Sequence, residues 1–308
     1  MPLISVIVPC YFNEKNIPIT VKELINNEVH FPSNVSFEYV FVDDGSKDDT
    51  FRELVNVKEV FPDKIKVVKL AGNVGSHNAV VAGMEFAVGE CITIISADLQ
   101  DPPELMAKMY AHWQQGFKLV VGSRNENQDP ILKRYFSGVF HALMRKLAFK
   151  HLPKGGFDYV LFDKCIKDEV LKMKEKNSNV MYLLVWMGFE YVNIPYVRKK
   201  RTVGASRWTF LKNVKLLLDS VLSFSYFPIR VISVIGLVLG FLALLYTAFV
   251  IYAGIKGGGK DEEWSPLMVV LLFASSFQMI GLGIVGEYVW RTFDASRERP
   301  LYIIERAL

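Results

Sequence analysis

Four clusters of acidic, amide and small residues punctuate the first hundred positions of this 308-residue chain, each directly after a short apolar run. They are Pro9, Tyr11, Asn13 and Glu14; Asp43-Asp44-Gly45-Ser46; Gly72-Asn73-Val74-Gly75; and Ser96-Ala97-Asp98-Leu99-Gln100-Asp101. A carboxylate at the end of a buried strand, as Asp98 would be, is placed to hold a divalent cation against a phosphate group. The same residues also have a structural reading. Asp98 and Asp101 precede Pro102 and Pro103 and can start a helix, and Asp-Asp-Gly-Ser is a good turn. Further along, Arg198, Lys199, Lys200, Arg201 and Arg207 form a basic cluster with no acid among them. Arginine binds phosphate in bidentate fashion, and a basic patch beside a bilayer is also attracted to anionic lipid.

These clusters need elements to hold them. Residues 3–8, 37–42, 65–70, 91–95 and 119–121 are apolar, β-rich runs, and helical patterns lie at 17–26, 49–61 and 104–115, with another ending at Ala87. The alternation predicts an α/β fold with a doubly wound, mostly parallel sheet and helices on both faces. Ligands of such sheets gather beyond the carboxyl ends of the strands, where all four clusters fall. After Asn125 the pattern loosens. Residues 131–150 read as a helix, 155–159 as a turn entering a strand, and 189–197 as a strand ending in the basic cluster. No repeat or low-complexity segment is present.

Composition adds a membrane. The chain is 51% hydrophobic with a mean hydropathy of +0.22, and the excess is concentrated. No charged side chain lies between Arg230 and Lys256, or between Glu263 and Glu287, and each run exceeds the ~20 residues that a spanning helix needs. Ahead of them, residues 209–225 set Phe210, Leu211, Val214, Leu217, Leu218, Val221 and Leu222 at helical spacing, as in an interfacial amphipathic helix. The hairpin 256–263 carries more acid than base, whereas the flanks carry Arg230, Arg291, Arg297, Arg299 and Arg306. The positive-inside rule therefore predicts a cell (inner) membrane protein with its large domain and C-terminus cytoplasmic. Trp264, Tyr288 and Trp290 stand where interfacial aromatics belong. Residues 3–8 are too short for a cleavable signal peptide. Cys10, Cys91 and Cys165 are odd in number and far apart, which predicts neither disulfide nor zinc site and a reducing compartment. The net charge of +4 is mild, and no nucleic acid is expected as a partner. The expected divisions are 1–208, 209–227, 228–290 and 291–308.

Taken in order, the motifs carry a resemblance. Ser5-Val6-Ile7-Val8-Pro9 with Asn13-Glu14, then Val42-Asp43-Asp44-Gly45-Ser46 with Asp48 and Thr50, resemble a family 2 glycosyltransferase. Asn73-x-Gly75-x-x-x-Ala79-x-x-x-Gly83 and Ala97-Asp98-Leu99-Gln100-Asp101-Pro102-Pro103-Glu104 are similar to the polyprenyl-phosphate glycosyltransferases, the group of bactoprenol glucosyltransferase and dolichol-phosphate mannose synthase. The likeness runs from Leu3 to about Trp208 and implies a glycosyltransferase-A type sheet. It implies that Pro9, Tyr11 and Glu14 line the base and ribose of a nucleotide. Asp43 would bind base or ribose, Asp44 would shape the same loop, and Gly75 would let backbone approach the nucleotide. Ala97 belongs to the same nucleotide-sugar site, Asp98 would hold Mg²⁺ or Mn²⁺ on the diphosphate, and Gln100 would sit near the sugar or acceptor. Arg124 would pair with a phosphate or with a neighbouring carboxylate.

Asp158, in Asp158-Tyr159-Val160-Leu161, matches the family carboxylate that faces sugar and acceptor. A lipid phosphate is already ionised at neutral pH and hardly needs a general base, so Asp158 as base and Asp158 as orienting group both stand. Arg201, Ser206 and Arg207 match a segment that would bind the acceptor phosphate, with Arg201 counted among the catalytic groups beside Asp98 and Asp158. Three departures accompany the likeness. Ser96 stands where many relatives carry Asp, one extra residue separates Pro9 from Asn13-Glu14, and Gly72 and Val160 each replace a common arginine.

The expected activity is inverting transfer of one sugar, glucose from UDP-glucose, to a polyprenyl (undecaprenyl) phosphate at the bilayer. One alternative is a processive polysaccharide synthase, against which no Gln precedes Arg207-Trp208 at the spacing those enzymes use. The other is a non-catalytic membrane scaffold that binds nucleotide-sugar. The β-like run 301–305 would add to a neighbouring subunit's sheet and so make a homo-oligomer.

Overall fold

The computed structural model describes residues 1–124, 138, 142, 144–146, 156–173, 178–199, 219–225, 227–255 and 264–308. By internal contacts the chain divides into two units, Met1–Ser220 with Pro300–Leu308, and Val221–Arg299.

The first unit is built on a sheet that has, among the described residues, eight strands in the order β7-β5-β6-β4-β1-β2-β3-β8. In chain order these are β1 (Leu3–Cys10), β2 (Ser36–Asp43), β3 (Ile65–Leu70), β4 (Cys91–Ile94), β5 (Leu119–Arg124), β6 (Phe157–Asp163), β7 (Tyr191–Tyr196) and β8 (Ile304–Ala307). β1, β2, β3 and β4 form a parallel block, with β1 between β2 and β4. Its strands are apolar on both sides because helices cover both faces. Ile4, Val6, Ile7, Val8, Val40, Phe41 and Val42 are fully buried.

Helices α1 (Ile17–Asn27), α2 (Thr50–Val60) and α4 (Leu105–Gln114) share one core with Val6, Val8, Tyr39 and Phe41. On the opposite face α3 (Ser76–Phe86) packs on β1 and β2, joined by α5 (Lys164–Lys172) and α6 (Val180–Trp186). Gly83 explains how closely α3 approaches: a Cβ there would lie 2.6 Å from Ile7 Cγ2.

Two findings amend the expected sheet. It is mostly parallel, as expected, but mixed, because β6 runs antiparallel between β4 and β5 and β8 runs antiparallel to β3. The C-terminal strand therefore closes an edge of its own chain's sheet, with Leu308 N–H and carbonyl both bonded to Val67. That pairing corrects the expectation of a strand given to a neighbour, since the unpaired groups of β3 are satisfied within the molecule. The amphipathic helix 209–225, the helix 131–150 and the hairpin 256–263 lie largely or wholly outside the described residues.

The second unit contains α7 (Phe227–Ile255) and α8 (Trp264–Ser296). Gly281 of α8 lets Ile232 of α7 come close. Tyr288 donates to the Ser225 carbonyl at 3.1 Å, and Arg291 bonds both Glu287 and Ser223. Among the described residues no helix is long and apolar enough to cross a membrane. The two spans expected over 228–290 are thus not supplied by the structure.

Candidate active site

The parallel registers decide which strand-end loops are neighbours. Cys10 pairs with Asp43 across β1 and β2, and Ile7 pairs with Ile94 across β1 and β4. Three loops therefore leave the sheet side by side, and hydrogen bonds clasp the loops after β1 and β2 together. Phe12 N–H donates to Ser46 Oγ at 3.0 Å, Asn13 N–H to Thr50 Oγ1 at 2.8 Å, and Asp49 N–H to Glu14 Oε2 at 3.2 Å. Asp44 N–H returns to the Cys10 carbonyl at 2.8 Å. Pro9 is half-buried at the start of this clasp, and Tyr11 is exposed with its ring 4.6 Å edge-on from Phe12. The extra residue in this loop is absorbed by Phe12, whose φ of 56° is in the left-handed region, a costly conformation that turns up at binding sites.

Asp43 and Asp44 divide their labour. Asp44 accepts from Val74 N–H at 2.7 Å, from Gly75 N–H at 3.0 Å and from Asn73 Nδ2 at 3.0 Å. It therefore moulds the loop of Gly75, whose φ of 88° suits glycine. Burial pushes the Asp44 carboxyl up to about 6, against the pull of the Val74 and Gly75 amides. Asp43 is fully buried, and its Oδ1 accepts from Ser46 N–H at 3.0 Å. Its Oδ2 is buried with no hydrogen-bond partner among the described residues. Burial raises the Asp43 carboxyl, opposed by Ser46. A buried acceptor left in this way costs about 1–3 kcal/mol and is suited to take an N–H from a ring such as a nucleobase. Gly45 is obligatory between the loops: its φ is 67°, and a Cβ would lie 2.6 Å from the Gly72 carbonyl carbon.

The β4 loop carries Asp98 at intermediate exposure. Asp98 Oδ1 accepts from Ser96 Oγ at 2.7 Å and from Gln100 N–H at 3.3 Å. Ala97 is buried, and its carbonyl accepts from Thr20 Oγ1 at 2.7 Å, which ties the loop to α1. Leu99 has φ 51°, so two of these strand-end loops hold a non-glycine residue in a strained conformation. Gln100 reaches the other side, with Nε2 3.4 Å from the Lys199 carbonyl and its own carbonyl accepting Lys199 N–H at 2.8 Å.

Because β6 is antiparallel, its amino end lies at the carboxyl ends of β4 and β5. Gly122 pairs with Tyr159 and Ser123 with Phe157, so Asp158 is the extra residue of a β-bulge. Bulges re-aim side chains beside sites, and this one leaves Asp158 exposed between buried Phe157 and Tyr159. Arg124, at the end of β5, forms an ion pair with Asp158.

Asp101 requires a correction. It is not a helix start: α4 begins at Leu105 after Glu104, and the Asp101 carboxylate points inward, only 2% exposed. The sequence also gives no role to Tyr196 and Ser46; the signal for Tyr196 was an aromatic ending a strand just before the basic cluster. Arg201, Ser206 and Arg207 lie outside the described residues.

The pattern that defines glycosyl transferase family 2 matches residues 5–172. Similar proteins extend over nearly the whole chain. A prophage bactoprenol glucosyl transferase homolog of Escherichia coli (strain K12) is 33% identical over 304 residues, covering 98% of each chain. The bactoprenol glucosyl transferase of Shigella phage SfV is 32% identical over 303 residues, again 98% of each. An uncharacterized glycosyltransferase of Bacillus subtilis (strain 168) is 32% identical over 304 residues, 98% of this chain and 93% of that one.

Proposed function

We propose, for a chain that belongs to glycosyl transferase family 2 and is a glycosyltransferase, inverting transfer of a single glucose from UDP-glucose to a polyprenyl phosphate at the cytoplasmic face of a membrane. The observation that carries the acceptor is the reach of the likeness to bactoprenol glucosyl transferases. It covers 98% of each chain and so continues past the catalytic sheet into the uncharged runs after Arg230 and Glu263. Those runs, with the basic cluster before them, support attachment to the bilayer.

In this reading the orphan Asp43 Oδ2 accepts a base or ribose hydrogen, and Pro9, Tyr11 and Glu14 border the same pocket. Asp44 holds the Gly75 loop open for the nucleotide backbone. Asp98 would hold Mg²⁺ or Mn²⁺. No three His, Cys, Asp or Glu side chains cluster among the described residues, so diphosphate and water would have to supply the other ligands of the ion. Bound there, the ion would supply charge neutralisation for the departing diphosphate. The acceptor phosphate is its own nucleophile, so Asp158 on its bulge orients the sugar and faces the positive charge that develops at the ring. Arg124 keeps Asp158 pointed there. Arg201, Ser206 and Arg207 bind the acceptor phosphate, Gln100 lies beside the sugar, and Ala97 shapes the loop between them.

The test is incubation of purified protein with undecaprenyl phosphate and radiolabelled UDP-sugars, with and without EDTA. Lipid-linked glucose that EDTA suppresses is the expected result. No lipid-linked product from any donor would sink the proposal.

A further inference from the structure

Asp101 keeps a carboxylate in the core, 2% exposed, where an unpartnered charge would cost several kcal/mol. Its partners account for the placement. Oδ1 accepts from the Tyr196 hydroxyl at 2.5 Å and lies 3.5 Å from Arg198 Nε. Oδ2 lies 3.3 Å from Ser96 Oγ, which is also 2.7 Å from Asp98 Oδ1 and has one proton to divide between the two carboxylates. The Arg124 guanidinium is close enough to the Tyr196 hydroxyl to oppose the rise that burial and Asp101 impose on it, and Arg124 pairs with Asp158. Tyr196 spends its one proton on Asp101, so only the lone pairs of its oxygen are left to face Arg124, whose guanidinium only donates. The contacts run without a break from Asp158 through Arg124, Tyr196, Asp101 and Ser96 to Asp98. Two bonds between Gln100 and Lys199 and an ion pair of Lys199 with Glu104 at 3.1 Å staple the same two segments together.

We propose that Asp101 and Tyr196 are positioning residues that set the spacing of Asp98 and Asp158, and that they join the end of β7, where the basic cluster begins, to the Asp98 loop. The proposal rests on the reading that Asp98 and Asp158 serve the donor. Buried polar chains of this kind polarise one another and rigidify what they join. Neither residue reaches the reacting atoms. Both act through the one bond between them, whose two ends reach Asp98 by way of Ser96 and Asp158 by way of Arg124.

The test uses the full-length protein in detergent and three variants, Tyr196→Phe, Asp101→Asn and Ser96→Ala. Mn²⁺ affinity in the presence of UDP is read by electron paramagnetic resonance, alongside kcat and KM for the donor and the melting midpoint. Tyr196→Phe and Asp101→Asn should each lower kcat and weaken Mn²⁺ binding by roughly ten- to hundredfold, the usual size for groups that orient a metal ligand, while the donor KM moves much less. The double variant should be little worse than Asp101→Asn alone, because the two act through one bond. Ser96→Ala should weaken Mn²⁺ binding even if the other two variants fail to fold. A Tyr196→Phe or Ser96→Ala protein with the parent's Mn²⁺ affinity and kcat, whatever its melting point, overturns the proposal, as do losses that simply multiply. If the parent makes no lipid-linked sugar, the functional reading fails while the Mn²⁺–UDP measurement still decides this one.

Discussion

In the proposed reading Ser96 leaves Asp98 to hold the metal alone, and the surrounding bonds show how that single carboxylate is kept in place. Its Oδ1 is bracketed by Ser96 Oγ and Gln100 N–H. Asp98→Asn should therefore lower kcat by roughly a hundred- to a thousandfold, the scale for losing one charge-stabilising group, with the melting midpoint nearly unchanged; a lipid-linked product assay checks it. Asp44 makes a pH-dependent prediction. Its carboxyl is pushed up to about 6 by burial, above the ordinary value, so its contribution to folding stability is present below about pH 4 and is lost as pH rises through about 6. Its loop-holding role has the opposite sign, because the ionised form is the better acceptor for Val74 and Gly75. The donor kcat/KM should fall as pH drops below about 6, and Asp44→Asn should be lower throughout and lack that inflection. The resemblance implies different roles for Asp43, which would bind base or ribose, and Asp44, which would shape the same loop. Only the coordinates separate a carboxylate saturated by the chain's own amides from one left with an orphan oxygen.

At the scale of elements, the parallel block was legible because buried parallel strands are apolar throughout and end in polar loops. The observed bounds of β1, β2, β3 and β4 lie within a few residues of those runs. β6 was harder. An antiparallel strand inserted between β4 and β5 leaves no mark in hydropathy, yet it is what brings the amino end of β6, and with it Asp158, to the carboxyl ends of its neighbours. The C-terminal strand was seen as a strand but assigned the wrong partner. β8 covers the edge of β3, with Lys69 paired to Glu305 at 2.9 Å and Arg306 over the Phe51 ring. Removing residues 301–308 should lower the melting midpoint by roughly 5 °C for the loss of one or two kcal/mol. It should also increase aggregation, because β3 would become an open edge. Differential scanning fluorimetry and light scattering read both, and an unchanged midpoint with no aggregation would contradict the pairing's importance.

At the scale of the molecule, the uncharged runs after Arg230 and Glu263 predict that the protein stays in the membrane fraction through an alkaline carbonate wash and enters solution only with detergent. Release by carbonate or by high salt alone would mean that the basic cluster, screened by ions, was the whole attachment. By itself the sequence determined the parallel core, the four strand-end loops, the family and the apolar C-terminal segments, because each is written in local chemistry: apolar periodicity, turn residues and uncharged length. The tertiary structure alone decided that Asp101 faces inward rather than starting a helix, that Arg124 meets Asp158, that Tyr196 bonds Asp101, and that the chain's own end closes its sheet. Those pairings join positions tens to hundreds of residues apart, and strand order and register set them. No local pattern encodes either.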